Sequence, residues 1–312
     1  MIRVGAVNID SSHPMAFAEY FEKGARARYT AVYNDGFRGD EEVNAFIKRF
    51  NLEGRCGGID ELAERVDIGL VHSCNWGRHI QDALPFIRRG KPVFVDKPLV
   101  GSLSHCKAIE ELEQKGAVIL GSSSVRYAVE IMDFLKRPEE ERGKIVNIFG
   151  TAGVDEFNYG IHIVEAICTL AGAGAVFTRF AGHTVVDGKT CETYFVGFEN
   201  GVTAVYNTFT GVWQPFELVV MTTRSTYQFR VDSSKVYCPL LDMICDYMET
   251  GKNAFATVRQ LTDSIRVMLA GRLSKQQNCA EVKLRHIPED DPGYDGDRFE
   301  HDYAIAATKI YL

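Results

Sequence analysis

The sequence predicts an α/β protein: a doubly wound parallel sheet with helices on both faces, followed by an α+β domain built on a mostly antiparallel, open sheet. Two patterns carry this reading. Up to Leu120, short apolar runs alternate with segments of helical period, and parallel strands require such crossover connections. After Arg126 the pattern changes to alternating strands joined by turn signals. With 312 residues, 46% of them hydrophobic and 25% charged, the chain is long enough for two cores and too apolar for disorder.

In order, residues 2–9 form a strand and 14–23 a helix with Ala16, Phe17, Tyr20 and Phe21 on its apolar face. A strand at 29–33 ends at Asn34-Asp35-Gly36; a helix at 41–50, a helical turn at 60–64 and a strand at 68–72 follow. A helix at 79–89 is stopped by Gly90, and then come a strand at 93–95, a helix at 104–115 and a strand at 117–120. The expected boundary near residue 122 gives domains 1–122 and 123–312. In the second, 127–136 and 159–170 read as helices, 144–150 as a strand, and 190–198 with 202–209 as a hairpin around Asn200-Gly201. Residues 217–222 and 227–231 are another pair, and 240–250 and 258–274 are helices. The acidic, turn-rich stretch 288–302 reads as a solvated connection.

A net charge of −7 without a run of Lys or Arg gives no general attraction for nucleic acid or anionic membrane, which leaves a small molecule as the expected partner. The N-terminus enters a strand without the pattern of a signal peptide, no apolar run reaches membrane length, and a cytoplasmic location is expected. The eight cysteines fall without a CxxC or paired framework; neither disulfides nor a structural metal is expected.

Ligands of doubly wound sheets bind outside the carboxyl ends of the strands. That edge holds Asp10, Asp35, Ser73 to Asn75, Asp96-Lys97 and Ser122 to Ser124. In VFVDKPLVGSL (93–103) an acid and a base stand where a buried strand should emerge, a junction that reads as a site.

With these pieces placed, the chain resembles the nicotinamide-dependent oxidoreductases that include glucose-fructose oxidoreductase and inositol dehydrogenase. Asp96-Lys97-Pro98 looks like that family's Glu-Lys-Pro motif, and Ser73-Cys74-Asn75 followed by His79 is similar to its Thr-Pro-Asn and His. Gly121 to Tyr127 resembles the opening of its second domain, and Asn158-Tyr159-Gly160-Ile161-His162 its Asp-x-Gly-x-His helix start. Order and spacing agree from residue 1 to about 284. The resemblance implies a Rossmann-type dinucleotide-binding domain, a substrate domain whose open sheet makes homodimers or homotetramers, and hydride transfer between NAD, or NADP, and a sugar, polyol or related hydroxy compound.

In such chemistry a side chain must take the hydroxyl proton as hydride leaves, and the resemblance puts Lys97 there, with Asp96 orienting the nicotinamide end. Asn158 and His162, four apart, would share one helix face and address the same substrate. The family has Asp at position 158; Asn can orient the imidazole but brings no charge. Asp35 is expected to accept from the adenosine ribose, with Arg38 nearby opposing a clear preference for NAD. Ser73, Asn75 and His79 are candidates for the cofactor, and Arg126 and Tyr127 for substrate or for an interdomain contact.

The phosphate loop departs most from the family. Aligned on Gly5, the glycines of GxGxxG are replaced by Asn8, Asp10 and His13. Either Asp10, Ser11 or Ser12 caps the next helix, with Asp10 imitating a phosphate, or Ser11, Ser12 and His13 donate to a dinucleotide shifted outward. Three functions therefore stay open: a simple dehydrogenase, an enzyme of elimination, hydrolysis or epimerisation through transient oxidation, and a binding or regulatory protein that keeps the fold without redox chemistry.

Overall fold

The computed structural model describes residues 1–312. Its first part alternates β1 (Ile2–Val7), α1 (His13–Gly24), β2 (Ala27–Tyr33), α2 (Asp40–Arg49), β3 (Gly54–Arg55), α3 (Ile59–Arg65), β4 (Ile68–Val71), α4 (His79–Arg88), β5 (Val93–Val95), α5 (Leu103–Gln114) and β6 (Ile119–Gly121). The strands form one parallel sheet in the order β3-β2-β1-β4-β5-β6. All residues of β4 and β5 are buried, as expected of strands covered by helices on both faces. The order reverses between β1 and β4, and the crevice outside their carboxyl ends is where a ligand of such a sheet sits.

After a 3₁₀ turn at Ser124–Tyr127 come α6 (Val129–Lys136), α7 (Glu139–Arg142), β7 (Ile145–Val154), α8 (Gly160–Ala171), β8 (Ala175–Val186), β9 (Lys189–Phe198), β10 (Thr203–Thr210), β11 (Glu217–Thr222) and β12 (Thr226–Arg230). Then follow α9 (Cys238–Thr250), α10 (Val258–Gln276), β13 (Val282–Lys283) and α11 (Gly296–Ala306). The second sheet runs β12-β11-β7-β10-β9-β8-β13, antiparallel except for the β7–β10 pair. Local chemistry sets several boundaries: a Thr257/Gln260 capping box opens α10, Ser102 caps α5, and Gly172 at φ 67 ends α8.

α8 and α10 cover one face of the second sheet through Ile163, Ile167, Met268 and Leu269. On the other face Val219, Phe149, Val205 and Phe195 lie in one cross-strand row, with Phe149 38% exposed. α9 returns to the first sheet, where Leu240, Leu241 and Ile244 join Phe17 and Phe21 in one core. No helix is long and apolar enough to cross a membrane, and all eight cysteines are free thiols.

The tail corrects the expectation of a solvated connection. Asp295 accepts from the Arg298 N–H and opens α11, whose Phe299 and Tyr303 stack 5.5 Å apart, four residues apart in sequence. Trp76 meets Phe299 at 4.8 Å and donates its indole N–H to the Tyr294 carbonyl; Phe157 stacks on Tyr294 at 3.9 Å. Its aromatics supply the packed face, and three of its acids are tied inward, Asp291 to Arg272 and Asp297 and Glu300 to Asn75.

Candidate active site

Lys97 follows β5, and its Nζ donates to the Asn158 side-chain oxygen at 2.9 Å and to the Asn158 carbonyl at 3.3 Å, 5.3 Å from the centre of the Tyr159 ring. Burial lowers its pKa below the ordinary lysine value, against the opposing charges of Asp96 and Asp155. An amine so held can change protonation state more easily than a solvated lysine.

Asp96 is the hub beside it. Its Oδ1 accepts from the Lys97 backbone N–H at 2.7 Å; its Oδ2 lies 2.7 Å from His13 Nδ1 and 3.1 Å from His72 Nδ1. Burial alone would raise the Asp96 pKa, but the charge and hydrogen bond of His13, joined by His72, hold it well below the usual carboxylate value. An ionised Asp96 only accepts, so both imidazoles donate through Nδ1, and the Tyr29 hydroxyl donates to His72 Nε2 at 2.7 Å. Burial keeps His72 neutral, its pKa lowered. His13 Nε2 makes no hydrogen bond within the chain, and His13 lines the cavity described below.

Asn158 precedes α8 and is not on it, so Asn158 and His162 do not share a helix face. Asn158 turns to Lys97, whereas His162 Nδ1 pairs with the Ser123 hydroxyl at 2.6 Å. Burial, and after it the charge of Lys97, pushes the His162 pKa well below normal. A second acid near Lys97, besides Asp96, is Asp155, which accepts from Asn158 Nδ2 at 3.3 Å and from the Tyr159 N–H at 3.1 Å. Sequence reasoning missed it, because its approach depends on Val154 at φ 68, a backbone turn no residue type announces in a β-branched position.

In the loop after β1, Asn8 at φ 62 takes the left-handed conformation that a glycine would supply. Its side chain bridges three strand ends: Oδ1 accepts from the Asp35 and Gly36 N–H groups, and Nδ2 donates to Ser73 Oγ. Asp10 does not cap α1. Its Oδ2 accepts from the Cys74 N–H at 3.0 Å, its Oδ1 is buried without a partner, and burial pushes its pKa up to about 6. Ser12 occupies the cap position without using its side chain, Ser11 Oγ accepts from the His13 N–H, and Pro14 offers no N–H in the first turn.

The other predicted residues are engaged within the chain or line another cavity. Asp35 pairs with Arg78 at 2.6 Å; Asn75 donates to Asp297 and Glu300 of α11; the His79 ring spans the Ser73 and Leu99 carbonyls. Arg126 pairs with Glu165 at 2.9 Å and reaches Ser264, and the Tyr127 hydroxyl donates to the Gly121 carbonyl. These two line a separate cavity of 430 Å³ with Cys168, Phe255 and Gln260, away from Lys97.

What converges at the switch point is a cavity of about 70 Å³ lined by Ser11, Ser12, His13, His72, Ser73, Cys74, Asp96, Lys97, Asn158, Tyr159, Phe299 and Tyr303. Typical ligand pockets measure ~300–1,000 Å³. α11 walls the cavity through Phe299 and Tyr303, and the residues after it reach the β1 and β2 loops: the Tyr311 hydroxyl donates to the Ser11 carbonyl at 2.6 Å, and Arg38 donates to the Thr308 carbonyl at 2.7 Å. The polar groups around Lys97 suit a hydroxy compound, while those of the β1 loop are engaged within the chain.

Residues 3–123 match the model of the oxidoreductase family with an NAD-binding Rossmann fold. The match covers the parallel-sheet part of the chain, β1 to β6. Among solved structures, the chain is similar to scyllo-inositol dehydrogenase from Lactobacillus casei, with TM-score 0.77 and 12% identity over 91% of this chain and 98% of that one. The same enzyme with NAD(H) and scyllo-inositol bound gives 0.73 and 13% over 91% and 99%. UDP-N-acetylglucosamine 3-dehydrogenase from Acidithiobacillus ferrooxidans gives 0.72 and 13% over 88% and 97%. At these identities the likeness establishes the fold, parallel sheet and second sheet together. No curated protein matches the chain by sequence.

Proposed function

We propose that the protein is an NAD- or NADP-linked oxidoreductase of a sugar, polyol or related hydroxy compound, in which Lys97 takes or returns the hydroxyl proton. One observation carries the reading: a desolvated Lys97 amine, aimed by Asn158, lines a cavity where the strand ends of the parallel sheet meet the second domain. Asn158 orients the amine, Asp155 and Asp96 set its charge balance, and neutral His162 lies behind it on Ser123. Elimination, hydrolysis or epimerisation through transient oxidation would use the same residues. A non-catalytic binding or regulatory role is favoured by one observation of its own, the internal satisfaction of the β1 loop through Asn8.

Turnover of a panel of polyols and sugars with NAD and NADP, compared between the wild-type chain and Lys97→Ala, tests the reading. The variant is expected to lose about 10²–10⁴-fold in kcat/KM; undiminished turnover would refute the role of Lys97. Net NADH release marks a dehydrogenase, and altered substrate with unchanged cofactor marks the transient-oxidation chemistry. We also propose that the open row Val219, Phe149, Val205 and Phe195 joins two copies of the chain. Phe149→Glu should then convert a dimer or tetramer to smaller species in sedimentation; an unchanged mass rejects this contact.

A further inference from the structure

In a doubly wound sheet the pyrophosphate of a dinucleotide sits at the turn after the first strand, and the adenosine ribose sits by the acid that ends the second. The first of these places, and the loop just past the second, are here bonded to residues 307–312 of the chain itself. The Tyr311 hydroxyl takes the Ser11 carbonyl of the β1 loop, and its ring is buried edge-on against Phe46 of α2 at 5.6 Å. Arg38, three residues past Asp35, is the clasp: Nε donates to the Asp10 carbonyl, Nη1 to Glu42 and to the Thr308 carbonyl, and the guanidinium lies 5.7 Å over the Tyr311 ring. A planar aromatic ring and a carbonyl thus stand on the loops that would receive a planar base and a phosphate.

The anchorage is shallow. Residues 307–312 form neither helix nor strand, and Tyr311 is the one buried side chain among them, with Ile310 half-buried beside the same core, whereas α11 is tied down separately through Asn75 and Trp76. A segment with so few buried contacts opens at small cost relative to the domain beneath it.

We propose that residues 307–312 are an internal ligand of the adenosine-pyrophosphate half of the cleft, and that a nicotinamide dinucleotide binds by displacing them. This rests on the dinucleotide reading above. The tail and the cofactor then compete, and the affinity of the full chain is its intrinsic affinity reduced by the fraction of molecules with the tail released.

The test is fluorescence titration with NADH and NADPH of the full chain, of Tyr311→Phe and Tyr311→Ala in the full chain, and of a chain lacking residues 307–312. The expected result is a graded gain in affinity: about two- to fivefold for Tyr311→Phe, which loses one hydroxyl bond and keeps the ring, and about tenfold or more without the segment. Saturating NADH should also make the tail of the full chain more sensitive to carboxypeptidase. Equal affinities for all four chains overturn the competition and leave the dinucleotide reading standing. Failure of every chain to bind either dinucleotide at millimolar concentration overturns both. Should the shortened chain fold poorly, as judged by its melting curve, Tyr311→Phe decides alone, because its packing is unchanged.

Discussion

Asp10 and Asp96 are both buried, both at strand ends of one sheet and both beside the same small cleft, yet they are driven in opposite directions. Asp96 is held well below the usual carboxylate pKa, and Asp10 is pushed up to about 6. Burial costs the charged form of each; the difference lies in what surrounds the oxygens. Asp96 receives His13, His72 and a backbone N–H, whereas Asp10 receives one N–H, leaves one oxygen unpaired, and has Glu300 as a like-charged neighbour. The Lys97 side of the cleft is therefore built to keep charge at neutral pH. The β1-loop side, where a phosphate would arrive, already carries a negative charge at a cost.

The contrast can be broken by substitution. The largest expected effect is that of Asp96→Asn, which removes the charge that orders two imidazoles and should cost about 3 kcal/mol in urea unfolding at neutral pH. Because the folded pKa of Asp96 is depressed, its contribution is present above the ordinary value of 3.8 and is lost as pH falls through the folded value. A loss under ~1 kcal/mol would show that the hub is not organised by charge.

Asp10→Asn should act with the opposite sign. A folded pKa of about 6 against an ordinary 3.8 means that the native state binds the extra proton in that interval, so stability falls as pH rises from 3.8 to about 6 and stays lower above it. The amide should raise stability by about 2 kcal/mol at pH 7 and flatten the slope between those pH values. Urea midpoints across that range measure both, and a steeper slope in the variant would contradict the assignment. The smallest effect concerns spacing: a Cβ on Gly36 would lie 2.0 Å from Asp10 Oδ1, so Gly36→Ala should cost about 1–2 kcal/mol. Combining it with Asp10→Ala should recover part of that loss; strict additivity would mean that the two positions are not in contact.

Much of the architecture was legible because it follows from periodicity. The apolar runs of β4 and β5 and the amphipathic period of α4 leave few alternatives to a covered parallel sheet. Asp96-Lys97 at the exit of β5 marked a candidate site for the same reason. Elements whose pattern is interrupted were not legible. β8 has a register shift between Phe180 and Gly182 that breaks its alternation, and α11 hides its Phe299–Tyr303 face among acids. His72 was read only as the end of a strand, although it pairs with Asp96.

The sequence by itself determined the order of elements, the edge on which polar residues gather, and the unusual side chains at the three glycine positions, because these are properties of local pattern and residue chemistry. Tertiary structure alone decided what those side chains do. Asn8 became a bridge, Asp10 a half-satisfied acid beside Cys74, and His13 a partner of Asp96, while Asp155 came to accept from Asn158 and Tyr311 came to rest on the β1 loop. Each of these outcomes joins residues distant along the chain, and such pairings are set by how the sheets and the tail pack together, which no local pattern encodes.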